Sequence, residues 1–127
     1  MSATDAPIDV VRSFCSAWGT KDLDAIVAFF TPDAVYHNIP LAPVVGPEQI
    51  KATIEGFSGG VESIEFRVDA IAADGGTVLT ERHDIFTFAN GLIDLPVMGT
   101  FEVVDGKIAA WRDYFDMNQF LSQMPQG

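Results

Sequence analysis

A single cysteine, two histidines and seven basic residues stand in a chain of 127, and each scarcity closes off a class of protein. Cys15 alone forms no intrachain disulfide. One thiol with two imidazoles is too few for a structural zinc site, so no metal is expected. Seven Lys and Arg against eighteen Asp and Glu leave a formal net charge of -11. Phosphate backbones and anionic membranes are bound by clustered cations, so neither nucleic acid nor a membrane is expected as a partner. No apolar run reaches the roughly 18 residues of a membrane span. The opening Met-Ser-Ala-Thr-Asp-Ala-Pro has neither the basic nor the apolar part of a signal peptide, and a cytoplasmic location is the expectation.

What is abundant is apolar: 48% of the residues are hydrophobic and ten are Phe. That is far from the composition of disorder, and the length allows one domain, residues 1–127, with a single core or a modest cavity. Apolar residues at Ile8, Val11, Phe14, Cys15 and Trp18 predict a first helix stopped by Gly19. Asp22 caps a second, with Leu23, Ile26, Val27 and Phe30 inward and Thr31-Pro32-Asp33 as its end. A short strand follows over 34–39, then a loop with Pro40, Pro43 and Gly46, then a helix over 48–57 begun by Pro47. Four strands come next, over 61–73, 77–89, 92–104 and 107–116, punctuated by Asp74-Gly75-Gly76, Asn90-Gly91 and Asp105-Gly106. A short helix over 117–123 follows, with Asp116 as its cap, and the tail 125–127 is expected to fray. This order predicts an α+β fold in which the helices cover one face of a long curved sheet. Period alone does not choose a cone around a pocket over a flatter sandwich.

The strand over 77–89 carries charge on both faces. Alternation places Val78, Thr80, Arg82, Asp84, Phe86 and Phe88 on one face and Leu79, Glu81, His83, Ile85 and Thr87 on the other. The aromatic neighbours of Arg82 and Asp84 point to an interior, where a charge is tolerated only when paired. The last strand sets Asp113 between Trp111 and Phe115. If the two strands share a core, one guanidinium lies between two carboxylates. Such a trio carries a net charge of minus one when both acids ionise, and burial disfavours that, so it retains a proton near neutral pH. One carboxyl is then an acid and the other a base; the residues alone do not say which.

Tyr36-His37-Asn38, Glu81-Arg82-His83-Asp84 and Gly106-Lys107-Ile108-Ala109-Ala110-Trp111-Arg112-Asp113-Tyr114-Phe115-Asp116 together resemble the fingerprint of the limonene-1,2-epoxide hydrolase family. That family lies within the cone-shaped superfamily of nuclear transport factors, ketosteroid isomerases and polyketide cyclases. The resemblance covers nearly the whole chain. It implies the cone, a homodimer, no cofactor, and one-step addition of water to an apolar epoxide to give a vicinal diol, without a covalent intermediate. By the same resemblance Asp113 is the general base, Tyr36 and Asn38 hold the attacking water, Asp84 is the general acid, and Arg82 bridges the two carboxylates. Candidates for the pocket lining are Cys15, Trp18, Phe57, Phe86, Leu95, Val97, Phe115 and Phe120, although such stripes also make plain core.

Other readings attach to the same residues. Arg82 and Asp84 also fit an exposed ladder pair, and Tyr36 a core tyrosine. His37 and His83 face away from their neighbours and read as structural. Leu79, Ile85, Met98, Ile108, Ala110 and Tyr114 are assigned to the outer face, an apolar surface suited to a second copy. An isomerase or cyclase of the same fold, acting beside a carbonyl, needs one carboxylate and neutral donors instead of a clamped guanidinium. A non-catalytic binding module leaves the buried charges without a purpose.

Overall fold

The computed structural model describes residues 6–125. The stretch read for a signal sequence and the last two residues of the tail therefore lie largely outside the described residues. The described residues form a six-stranded, curved and unclosed sheet with four helices, in the order α1 (Pro7–Ala17), α2 (Leu23–Val27), β1 (Phe30–Asn38), β2 (Val44–Val45), α3 (Pro47–Ser58), β3 (Ser63–Asp74), β4 (Thr77–Phe88), β5 (Gly91–Val104), β6 (Lys107–Tyr114) and α4 (Met117–Gln123). A 3₁₀ turn, Trp18–Thr20, joins α1 to α2. The strands lie side by side as β2-β1-β6-β5-β4-β3. All neighbours are antiparallel except β1 and β6, which run parallel.

The tight turns arise where Gly permits them. Asp105 and Gly106 both adopt positive φ, the conformation of the two-residue hairpin that feeds β6. Asp22 caps α2 through the Ala25 amide, and Asp116 caps α4 through the amides of Asn118 and Gln119. The core is aromatic at its centre. Phe14 of α1 packs edge-on to Trp18, Phe101 and Trp111, which ties the first helix to the concave face of the sheet.

Four expectations need correction. The second helix stops at Val27, and Phe30 begins a strand instead, because its backbone can pair with Ile108 of β6. Pro32, read as a helix stop, sits inside β1 where the register with β6 shifts between Phe30 and Val35, a place where a missing N–H costs no ladder bond. Val44–Val45, read as loop, adds a short edge strand beside β1. Ile108 is fully buried and does not face outward. The irregularity between Glu102 and Val103 pairs Val103 with Ile108 and Glu102 with Ala110, so Ala109 is the extra residue and the alternation of β6 inverts across it. Leu79, Met98 and Tyr114 are exposed on the outer face as expected.

Candidate active site

β4 presents the charged residues inward, since Val78, Thr80, Arg82, Asp84 and Phe86 are all buried while Leu79 and Glu81 are exposed. Arg82 is 0% exposed, Asp84 4% and Asp113 3%. At such burial an unpaired charge is prohibitive, and the pairing here is complete. Arg82 Nε and Nη2 donate to the two oxygens of Asp84 at 2.9 and 2.8 Å. Its Nη1 and Nη2 donate to the two oxygens of Asp113 at 3.2 and 2.9 Å. Nη1 also donates to Thr80 Oγ1 at 3.1 Å, which engages all five N–H groups of the guanidinium. Phe66 lies 4.8 Å from the guanidinium carbon and adds a cation–π contact.

The sheet explains how one arginine reaches both acids. Asp84 is on the same strand, but Asp113 is on β6, with β5 between. In the ladder Gly99 of β5 faces Thr80 on one side and Asp113 on the other. Adjacent strands are spaced about 4.8 Å apart, so the guanidinium must cross the track of β5. It passes over Gly99, where there is no side chain. On the far side Asn38 of β1 sits opposite Asp113 and Tyr36 sits opposite Trp111. The Tyr36 hydroxyl donates to Asn38 Oδ1 at 3.1 Å. Trp111 Nε1 donates to Asp113 Oδ1 at 2.7 Å.

Burial raises the Asp84 carboxyl to about 6, against the lowering effect of Arg82, and the charge on Asp113 adds to the rise. Burial alone would lower the guanidinium, yet Asp113 and Asp84 more than offset it and hold Arg82 well above its ordinary value. Burial, with the neighbouring Asp113, also holds the Tyr36 phenol well above its usual range. Asp84 thus keeps its proton to a higher pH than an ordinary carboxyl, up to about 6.

A cavity opens over these groups. Tyr36, Asn38, Asp84 and Asp113 supply its polar patch, and Phe57, Phe86, Leu95, Val97, Phe115 and Phe120 its apolar walls. Arg82 lies beneath it and does not line it. Three lining residues escaped the sequence reading: Leu41, Phe66 and Met117. Two expected ones are absent. Trp18 stacks at 4.2 Å on Phe66, and it is Phe66 that meets the cavity, so Trp18 stands one layer behind. Cys15 is buried in α1 and does not line the cavity, and burial pushes its thiol up to about 12. The histidines stay outside the cavity. His83 Nδ1 lies 2.6 Å from Asp94 on the outer face, and His37 Nε2 lies 2.9 Å from the Leu41 carbonyl oxygen.

A buried acid and a buried carboxylate on one guanidinium, under apolar walls, can give a proton and take a proton in a single event. A family model for the limonene-1,2-epoxide hydrolase catalytic domain matches residues 5–126. The chain is 33% identical over 117 residues to epoxide hydrolase EphG of Mycobacterium tuberculosis, covering 92% of this chain and 78% of that protein. It is also similar to the solved structure of an LEH-like epoxide hydrolase from M. tuberculosis, with a TM-score of 0.80 at 33% identity, covering 92% of this chain and 87% of that one. A SnoaL-like structure from Shewanella putrefaciens, at 15% identity and a TM-score of 0.79 over 92% of this chain and 94% of that one, shares the fold alone. Among the described residues no helix is long and apolar enough to cross a membrane.

Proposed function

The chain belongs to the limonene-1,2-epoxide hydrolase family, and from that premise we propose that it adds water to an apolar, alicyclic epoxide in one step, with Asp113 as base and Asp84 as acid. The observation that carries this reading is the clamping of Arg82 between two buried carboxylates that both open onto one apolar cavity. An oxirane suits such a site because ring strain already raises its ground state. Water held by Tyr36 and Asn38 attacks a ring carbon and loses a proton to Asp113. The carbon–oxygen bond opens, and the departing oxygen takes the proton of Asp84. The product is a vicinal diol, and the trio's one proton now sits on Asp113 and returns to Asp84 before the next turnover. Acid and base assistance contribute about 10²- to 10⁴-fold each, and fixing the water contributes more.

The walls favour apolar substrates, since Phe57, Phe66, Phe86, Leu95 and Val97 provide no hydrogen bonds. Two copies pair through the outer face of the sheet, where Leu79, Met98 and Tyr114 are exposed, and sedimentation at micromolar concentration should return twice the chain mass. The enzymatic reading is tested with terpene, cycloalkene and styrene-type oxides and chiral analysis of the products. Diol formation that depends on Asp113 supports it. No diol from any of these oxides removes it.

A further inference from the structure

Arg82 treats its two carboxylates almost alike. It gives two N–H groups to Asp84 and two to Asp113, at distances that differ by at most a few tenths of an ångström. Nothing in that clamp tells the acid from the base. The asymmetry lies in a fifth donor: Trp111 Nε1 reaches Asp113 Oδ1 at 2.7 Å and, among the described residues, has no counterpart on Asp84. A hydrogen bond donated to a carboxylate favours its charged form. Asp113 Oδ1 then accepts two bonds, from Arg82 Nη1 and the indole, which fills both of its in-plane positions; Oδ2 accepts one and keeps the other open.

The indole is held firmly for this task. Tyr36 of β1 stacks on it at 4.1 Å and 12°, and Phe101 of β5 at 5.7 Å and 13°, from the two strands that flank β6. The same ring therefore supports Tyr36, which lines the cavity, and aims an N–H at Asp113. The other titratable groups around Asp113 are Arg82 and Asp84 from β4, Tyr36 from β1 and Cys15 from α1. His83 acts on Asp84 from the outer face of β4. The phenol and the thiol are both held above their ordinary ranges, which leaves the two carboxyls to share the proton.

We propose that Trp111 is a positioning residue that makes Asp113 the base and Asp84 the acid, by donating its indole N–H to Asp113 alone and leaving Oδ2 as the proton-accepting atom. This rests on the acid–base reading above.

The test removes that N–H without changing the ring. The chain has two Trp, and the other, Trp18, has a buried N–H with no hydrogen-bond partner. Replacing both with benzothienylalanine, in which sulfur stands for the N–H, deletes one hydrogen bond, that of Trp111. Trp111→Phe is made in parallel. Two readouts are taken: the pH profile of kcat/KM on an epoxide that the native protein opens, and the carbon-13 carboxyl resonances of Asp84 and Asp113, assigned with Asp84→Asn and Asp113→Asn. The proposal expects the acid limb to move up by about one pH unit, the size of a charged hydrogen bond. It also expects the neutral-range proton, carried on Asp84 in the native protein, to appear in part on Asp113. A uniform loss of activity with the limb and both resonances unmoved would assign Trp111 a merely structural role and overturn the proposal. If the native protein opens no epoxide, the functional reading falls and the resonances still decide the role of Trp111. If it opens epoxides and the resonances are indifferent to the sulfur, the role falls and the reading stands.

Discussion

Gly99 lies under the Arg82 guanidinium so closely that a Cβ at position 99 would overlap Nη1, and would also come within 2.5 Å of Asp113 Oδ1. The backbone there has no need of glycine's left-handed freedom, because its φ lies in the ordinary region. The requirement is room. Gly99→Ala should push the guanidinium off one carboxylate, lower stability by roughly 1–3 kcal/mol and reduce turnover with it. Thermal unfolding and kcat report this together; an alanine variant with native melting and native rate would mean that the guanidinium does not cross β5 where described.

Arg82→Ala leaves two buried carboxylates without their partner, a loss of about 3–5 kcal/mol when such a pair is broken from one side. Arg82→Lys should recover little, because a single ammonium cannot serve four carboxylate oxygens and Thr80 at once. Denaturant titration of the two variants checks both statements. Native-like stability in Arg82→Ala would contradict the burial of ionised acids.

Much of this arrangement was legible because β4 alternates so cleanly. Its inward face was readable from Val78 to Phe86, and two-residue turns fixed most strand boundaries. Phe66 was not readable. Counting back from the turn after Asp74 pairs Asp84 with Arg67, but the irregularity at Asp69 slides the register by one and brings Phe66 opposite Asp84. Ile108 was misassigned for the same reason, at the irregularity beside Val103. Gly99 carries no side chain to attract notice, and its role is defined only by two neighbouring strands. Trp18 reads as lining because it continues the apolar stripe of α1 into the 3₁₀ turn, and a stripe does not say how many layers separate it from a cavity.

Asp84 links stability to pH. Its folded value, about 6, lies above the ordinary 3.8, so the folded state binds the proton more tightly and the associated stability is present below about pH 4 and lost as pH rises through 6. Asp84→Asn has no proton to lose there. The difference in melting temperature, variant minus native, should therefore grow more positive from pH 4 to pH 8. A difference independent of pH would place the neutral-range proton elsewhere. Activity of the native protein should decline on the alkaline side as Asp84 loses its proton.

Val97 and Phe66 belong to the apolar walls of the cavity, Val97 at the position opposite Arg82 and Phe66 at that opposite Asp84. Val97→Ala and Phe66→Leu should change which epoxides are accepted and which ring carbon is attacked, by roughly 10- to 200-fold for a group that fills or vacates the space of a methylene. Product ratios on the oxide panel measure this. Ratios identical to the native protein's across both variants would place those side chains outside the contact surface.

Direct attack by water is the centre of the account, and oxygen-18 reports on it in one turnover. With enzyme in excess over epoxide in heavy-oxygen water, the first diol formed should carry the label, because its new oxygen comes straight from solvent. A route through an ester on Asp84 or Asp113 would instead deliver an unlabelled carboxylate oxygen to the first diol and leave the label on the protein. Labelled diol with unlabelled aspartates is the predicted result; unlabelled diol with label on either aspartate would contradict it.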